Sequence, residues 1–397
     1  MWNDITVFVL VFIALFLGWL LSKFSVLDFL SKVKRRSWRR SYMQGIHLLL
    51  NEQSDKTIES FIQDWEVNSA NFELHNALAN MLRRKGEVDR AIRIHANLLA
   101  TKTLTKEQVR IATTELACDY IKSGILDRAE RLLINVVNHS KDFEERALNL
   151  LQDIYEKEKE WSKAILIAEQ LLSVDKLTLG KHTLSSGEQI IRLSNYCCEL
   201  AESSLYRQDY QQSHRYIDQA FQYQANFPRA LMLEIKLSIA QQRFSQALKL
   251  LEQLIVEAPN DFIQMLPVIS PVFENRKAEI DFLLSFLENH SSSLVERKVF
   301  SLYQLDDKYQ ALRFLTQQIQ KRPTLKSLEL LLHEQSGIEI DINLKIKILQ
   351  QLVADILKDK PTHQCRQCGF SGQTQFWQCP QCHTWDAMTL IRGGAGD

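Results

Sequence analysis

From Thr57 to Ala311 a small side chain returns at nearly even steps. The positions are Thr57, Ala91, Ala129, Ala164, Ser213, Ala247, Ala278 and Ala311, at intervals of 34, 38, 35, 49, 34, 31 and 33 residues. Self-similarity at such a period confines a chain to stacked supersecondary units, each burying its apolar face only against its neighbours. Three segments display the unit: Leu78–Leu99, Leu116–Val137 and Leu151–Leu172. Each has a large apolar residue four positions after its opening Leu (Leu82, Tyr120, Tyr155) and a small one nine positions later (Ala91, Ala129, Ala164). Apolar spacing over this stretch is helical, with almost no strand-like alternation. Only 12 Gly and 7 Pro occur among 397 residues, well below the roughly 12% of average usage. Sandwiches, barrels and Gly-rich phosphate-binding folds need more turn formers than that.

A period near 34 is that of the tetratricopeptide repeat, a helix–turn–helix unit. The small residue is explained by close approach, since the second helix packs on the first at a distance that a larger side chain would prevent. Gly86 and Gly124 lie five residues before their Ala, where one helix must end and the chain turn. Pro259 and Pro323 fall twelve residues past Ala247 and Ala311, where the pattern has its terminal proline. The interval of 49 predicts an inserted loop within Val174–Glu188, where Gly180, Ser185, Ser186 and Gly187 gather. The expected product is a curved superhelix whose groove takes a peptide or a partner helix. Most of the repeated Leu and Tyr residues serve only to hold such a stack together.

The N-terminus predicts a membrane anchor. Ile5 to Leu21 contains no charge, and at about 1.5 Å per residue it reaches the short end of what spans a bilayer. A cleaved signal peptide fits less well. Asp4 is the only charged side chain before the apolar run, and Gly18, Trp19, Leu20 and Lys23 do not form a small-x-small cleavage site. Lys23, Lys32, Lys34, Arg35, Arg36, Arg39 and Arg40 follow the span against a single acid, Asp28. By the positive-inside rule the bulk of the protein faces the cytoplasm. The same cations, beside Phe24, Val26, Leu27, Phe29 and Leu30, also suit contact with anionic lipid.

The tail changes character after Lys360-Pro361. Cys365 and Cys368 form one C-x-x-C, and Cys379 and Cys382 form another, ten residues on. Two such turns can supply four thiolates to one tetrahedral ion, zinc by default or iron equally well by geometry. Four protein ligands close the site, which makes it structural and not hydrolytic. So short a segment cannot fold on an apolar core alone, and the ion must supply much of its stability. Disulfides are disfavoured by the cytoplasmic placement. His363 and His383 flank the pairs but are not needed as ligands. Phe370, Phe376, Trp377 and Trp385 are candidates for the miniature core and for a surface docking on the repeats. Cys118, Cys197 and Cys198 fall in repeat helices and read as packing residues.

No enzyme signature is present. The chain lacks G-x-x-x-x-G-K-[ST], G-x-G-x-x-G after a strand and G-x-S-x-G. His333-Glu334 opens like a metalloprotease motif, but Gly337 stands where the second His belongs. Lys and Arg (48) balance Asp and Glu (48), which speaks against a dedicated nucleic-acid binder.

The combination resembles the lipopolysaccharide assembly protein B (LapB) family of Gram-negative bacteria over essentially the whole chain. The most specific features are GEVDRAIRIH at Gly86–His95 and the tail pattern Cys365-x-x-Cys368-Gly369-Phe370, Trp377, Cys379-Pro380-x-Cys382, Trp385 and Ile391-Arg392-Gly393. The fold expected is an all-α tetratricopeptide-repeat superhelical solenoid with one N-terminal transmembrane helix and a small C-terminal rubredoxin-like metal knuckle domain. The corresponding segments are an anchor at 1–22, a basic juxtamembrane stretch at 23–41, a repeat array at 42–358 and a four-Cys metal domain at 359–397. The resemblance implies a bacterial inner-membrane regulator of lipopolysaccharide synthesis. Such proteins work with the membrane protease FtsH to promote breakdown of the deacetylase LpxC, opposed by a PbgA/YejM-type membrane partner. It also implies that the family's rubredoxin-like site carries over to Cys365, Cys368, Cys379 and Cys382. A non-proteolytic scaffold for envelope assembly enzymes and a rubredoxin-like electron carrier stay open, as does a homodimer.

Overall fold

The computed structural model describes residues 12–13, 15–16, 69, 71–139, 144–178, 186–322, 324–334, 350–351, 353–358 and 360–393. Most of the predicted anchor, the basic flank, Thr57, Gly180, Ser185 and Pro323 lie outside them. Among the described residues no helix is long and apolar enough to cross a membrane. The chain divides into two compact units, one ending at Ile154 and one beginning at Tyr155.

The first unit holds α1 (Phe72–Lys85), α2 (Val88–Ala100), α3 (Lys106–Ser123), α4 (Leu126–His139) and most of α5 (Glu144–Glu158). Phe72, Leu78, Leu82, Ile94 and Leu98 form its buried seam. In the second unit come α6 (Trp161–Thr178), α7 (Ser186–Tyr206), α8 (Tyr210–Tyr223), α9 (Pro228–Ala240) and α10 (Phe244–Glu257). They are followed by α11 (Pro259–Phe262), α12 (Arg276–Asn289), α13 (Ser293–Gln304), α14 (Lys308–Lys321) and α15 (Leu325–Glu334). Its principal core gathers Leu251, Leu254, Phe262, Met265, Leu283, Phe286, Val299 and Leu315.

The small residues of the repeat all sit near the start of a second helix. Ala91, Ala129, Ala164, Ser213, Ala247 and Ala311 are fully buried. Ser213 shows how near the helices come, because its hydroxyl donates to the Ala201 carbonyl of α7 at 2.9 Å. Ala278 is the exception and is only half-buried. The helix that should pair with α12 is replaced by the single turn α11 and two 3-10 segments, Ile263–Met265 and Ser270–Val272. Pro267 and Pro271 account for this, since proline lacks the N–H that continues an α-helix and its ring clashes with the preceding turn.

In five of the turns between paired helices a left-handed residue stands at one fixed place, five positions before the small residue; the turn before Ala311 lacks one. Gly86 (φ 91°) and Gly124 (φ 79°) meet the expectation, but Lys159 (57°), Gln208 (62°) and Gln242 (58°) adopt the same conformation without being glycine. Each of those three is marked by position alone.

The predicted insertion at Val174–Glu188 is corrected in part. Helix α6 continues to Thr178 and α7 begins at Ser186. At 18 and 21 residues they exceed the corresponding α4 and α5, which have 14 and 15. Most of the long interval is therefore extra helix. The all-α expectation is corrected in the tail, where β1 (His363–Cys365), β2 (Ser371–Gly372) and β3 (Met388–Leu390) form an antiparallel sheet in the order β2-β1-β3.

A candidate metal centre and the helices that carry it

Two similar turns build the site. In the first, the Gly369 amide donates to the Cys365 carbonyl at 3.0 Å; in the second, the His383 amide donates to the Cys379 carbonyl at 2.9 Å. The fourth residue after the leading Cys is left-handed in both, Gly369 at φ 78° and His383 at φ 56°. His383 is therefore the turn residue of the second knuckle. His363 lies on β1, with its Nδ1 2.9 Å from the Thr362 hydroxyl.

The turns bring Cys365, Cys368, Cys379 and Cys382 together, every sulfur within 4.8 Å of the others. Among the described residues no other cluster of three or more His, Cys, Asp or Glu has this form. The Cys365–Cys382 and Cys368–Cys379 sulfur pairs are both 3.7 Å apart. That is far beyond a disulfide bond of ~2.05 Å. It is the edge of a tetrahedron whose centre lies about 2.3 Å from each thiolate, the usual zinc–sulfur distance. Donor set and spacing therefore fit one tetrahedral ion. Cys365 and Cys379 are buried, whereas Cys368 is exposed. Thr384 favours the Cys382 thiolate, its hydroxyl 3.3 Å from the sulfur and its backbone adding a second hydrogen bond.

A surface that the spacing of the Cys residues does not announce joins this knuckle to the end of α5 and to α6, α7 and α9 within the second unit. Trp385 is buried with its ring edge-on to Trp161 and Tyr196, at centroid distances of 6.2 and 5.9 Å. Trp161 and Tyr196 stack at 5.8 Å. Beneath them Glu156 accepts from Gln378 Nε2 at 2.9 Å, from Trp385 Nε1 at 3.4 Å, from Arg192 at 3.2 Å and from the Tyr196 hydroxyl. Burial and then Glu156 push the Tyr196 hydroxyl pKa well above its usual range. Alongside, Arg229 lies over the Trp377 ring at 4.9 Å while its Nη1 donates to Asn195 at 3.0 Å. Asn195 in turn donates to Asp386 at 3.0 Å. Burial raises the Asp386 carboxyl to about 6.

Of the four predicted aromatics, Trp377 and Trp385 face the repeats, and Phe370 and Phe376 meet edge to face inside the knuckle at 6.4 Å. Glu156, Arg192, Asn195, Tyr196 and Arg229 escape a reading of the sequence because charged helix residues are solvated by default. The one available signal is the pair of neighbouring aromatics, Trp161 and Tyr196, at repeat positions next to charge. Cys197 and Cys198 are wholly buried, and burial pushes the Cys197 thiol to about 12.

The comparisons agree with this division of the chain. Residues 363–389 match the family described as "Rubredoxin metal binding domain". Residues 74–109, 147–180 and 204–266 match tetratricopeptide-repeat families. Lipopolysaccharide assembly protein B of Escherichia coli K12 is 29% identical over 360 residues, covering 89% of this chain and 90% of its own length. The Haemophilus influenzae protein of the same name is 28% identical over 372 residues, with 89% of each chain covered. Among solved structures, the tetratricopeptide protein YrrB aligns at a TM-score of 0.33 and 12% identity, over 53% of this chain and 98% of its own. Across nearly its whole length, then, the chain is similar to lipopolysaccharide assembly protein B, with segments that match tetratricopeptide repeats and a rubredoxin-like domain at its end.

Proposed function

We propose that this protein is a non-enzymatic adaptor in lipopolysaccharide assembly, held in the inner membrane by its first 22 residues with its bulk in the cytoplasm. The observation that carries the reading is the match to lipopolysaccharide assembly protein B along 89% of the chain. On this reading the repeat helices hold a client, the deacetylase LpxC, near the membrane protease FtsH, and a PbgA/YejM-type regulator opposes them. Two proteins held beside each other react at raised effective concentration, so no catalytic group is required of the adaptor. Cys365, Cys368, Cys379 and Cys382 hold one ion, zinc or iron, that fixes the two turns against each other. The side chains around it then do the positioning: Trp385 packs edge-on against the stacked Trp161 and Tyr196, and Glu156 sets its orientation.

The test is the half-life of the deacetylase in cells with and without the chain. Shortening that requires both the chain and the protease supports the adaptor. An unchanged half-life with defective envelope assembly would replace it by a non-proteolytic scaffold. The absorption spectrum of the purified protein separates the ions, since ferric thiolate is red and zinc thiolate colourless. A red protein that cycles between oxidation states would favour the electron carrier.

A further inference from the structure

A crevice of about 300 Å³ opens where the metal knuckle meets α7, α8, α9 and α11. Its wall includes β3, an edge strand of the small sheet. The register pairs Gln364 with Thr389, and the Ile391 amide donates to Thr362 while the Arg366 amide donates to Ala387. This alternation makes Thr389 the hydrogen-bonded partner of β1, so the N–H and C=O groups of Met388 and Leu390 point away from it. Among the described residues neither Met388 nor Leu390 has another backbone partner. An unpaired strand edge is a template for a further strand.

The lining of the crevice carries a second, independent observation. Three buried polar atoms around the crevice lack any hydrogen-bond partner: Arg229 Nε, Gln224 Oε1 and Asp386 Oδ1. Arg229 is only 2% exposed. Unpartnered buried groups are costly and call for an occupant. Its chemistry is restricted. One donor and two acceptors are offered, and the two cations of the lining, Arg229 and Arg366, are balanced by Asp261 and Asp386. An anion would meet the carboxylates, and a cation the guanidinium groups. A neutral group that both donates and accepts is complementary, and the peptide unit is such a group.

We propose that this crevice takes an extended, uncharged segment of a partner polypeptide, which adds a strand to β3 through Met388 and Leu390 and satisfies Arg229, Gln224 and Asp386. Addition of a strand to an exposed edge supplies affinity through the main chain and selectivity through side-chain pockets. The site rests on the adaptor reading and gives it a place on the molecule where metal knuckle and repeats recognise a partner together.

The test selects a phage-displayed random dodecapeptide library on the full chain and resynthesises the enriched peptides. Expected are peptides that slow hydrogen exchange in the segment 386–392 and bind at least tenfold more weakly to Leu390→Pro. That substitution removes an outward N–H and leaves the pairing to β1 in place. Gln224→Leu, outside the knuckle, should weaken the same peptides and serves if Leu390→Pro loses its ion or unfolds. Failure to enrich any peptide, binding indifferent to both variants, or protection confined to the repeat helices would overturn the site and leave the crevice to water. Deacetylase half-life in cells carrying the same variants keeps the two ideas apart. If peptides fail to bind while the chain still shortens that half-life, only the crevice falls. If deleting the whole chain changes nothing, the adaptor reading falls.

Discussion

Glu156 concentrates more of the interface between knuckle and helices than any other single side chain described above. Its carboxylate, about nine-tenths buried, accepts from two groups on each side of the boundary, Arg192 and Tyr196 on α7 and Gln378 and Trp385 on the knuckle. Glu156→Ala leaves those donors unsatisfied, and a hydrogen bond to a charged group contributes about 1.5–3 kcal/mol. The substitution should therefore destabilise the second unit by about 2–4 kcal/mol. Limited proteolysis should then cut near residue 359 while metal content stays normal; an unaltered digestion pattern would refute this assignment. The opposite sign is expected at Lys159, Gln208 and Gln242, which hold left-handed turns. That conformation costs a residue with a side chain about 1–2 kcal/mol, part of which glycine gives up as extra entropy in the unfolded chain. Each Gly substitution should thus raise stability by about 0.5–1 kcal/mol, read from the urea midpoint. These three residues also show why sequence marks the turn only at Gly86 and Gly124. Where packing on both sides fixes the turn, an ordinary residue tolerates the strain and leaves no signature.

At the scale of helices, the first unit is pinned by a polar cluster that the conspicuous segment Gly86–His95 joins through its last residue. Arg83 on α1 reaches Glu115 at 2.7 Å and Asp119 at 2.8 Å on α3, and Arg146 on α5 also reaches Glu115 at 2.7 Å. His95 on α2, fully buried, meets Asp119 at 2.5 Å and Asn76 at 3.1 Å. The motif that carries the resemblance is therefore structural at its last residue, a role invisible until α3 supplies Asp119. Burial opposes ionisation of Glu115, but the hydrogen bonds from Arg83 and Arg146 outweigh it and hold its carboxyl below the usual value of 4.5. A carboxyl held low in the folded state stabilises at neutral pH, and that contribution is lost as the pH falls below 4.5 and through the lower folded value. Glu115→Gln should weaken the first unit at pH 7, by an amount that shrinks steadily as the pH is lowered below 4.5. A difference independent of pH would show that size and packing, not charge, explain the residue.

Across the molecule, what the sequence discloses follows the type of force involved. Helical pairing, the small-residue positions and the four ligands are legible because each imposes a fixed spacing: 34 residues for the repeat, three for each C-x-x-C. The face on which the knuckle rests has no period, being assembled from α5, α6, α7 and α9, residues some two hundred positions from Trp385. The first-helix position before α12 is obscured for another reason, two prolines that break its periodicity. This distribution of forces predicts how metal loss propagates. Without the ion, four sulfurs within 4.8 Å of one another face mutual repulsion as thiolates or must bind protons, and the segment has too little apolar core to compensate. Cys365→Ser together with Cys368→Ser should release the ion and detach Trp385 from Trp161 and Tyr196. Tryptophan fluorescence should then shift to the red, and thermal unfolding of the second unit should come at a lower temperature. The repeat helices keep their own core of Leu251, Phe262 and Phe286, so far-ultraviolet circular dichroism should retain most of its helical signal. Loss of the helical signal along with the ion would mean that the knuckle nucleates the repeats instead of resting on them. Normal metal content in that variant would remove Cys365 and Cys368 from the coordination sphere altogether.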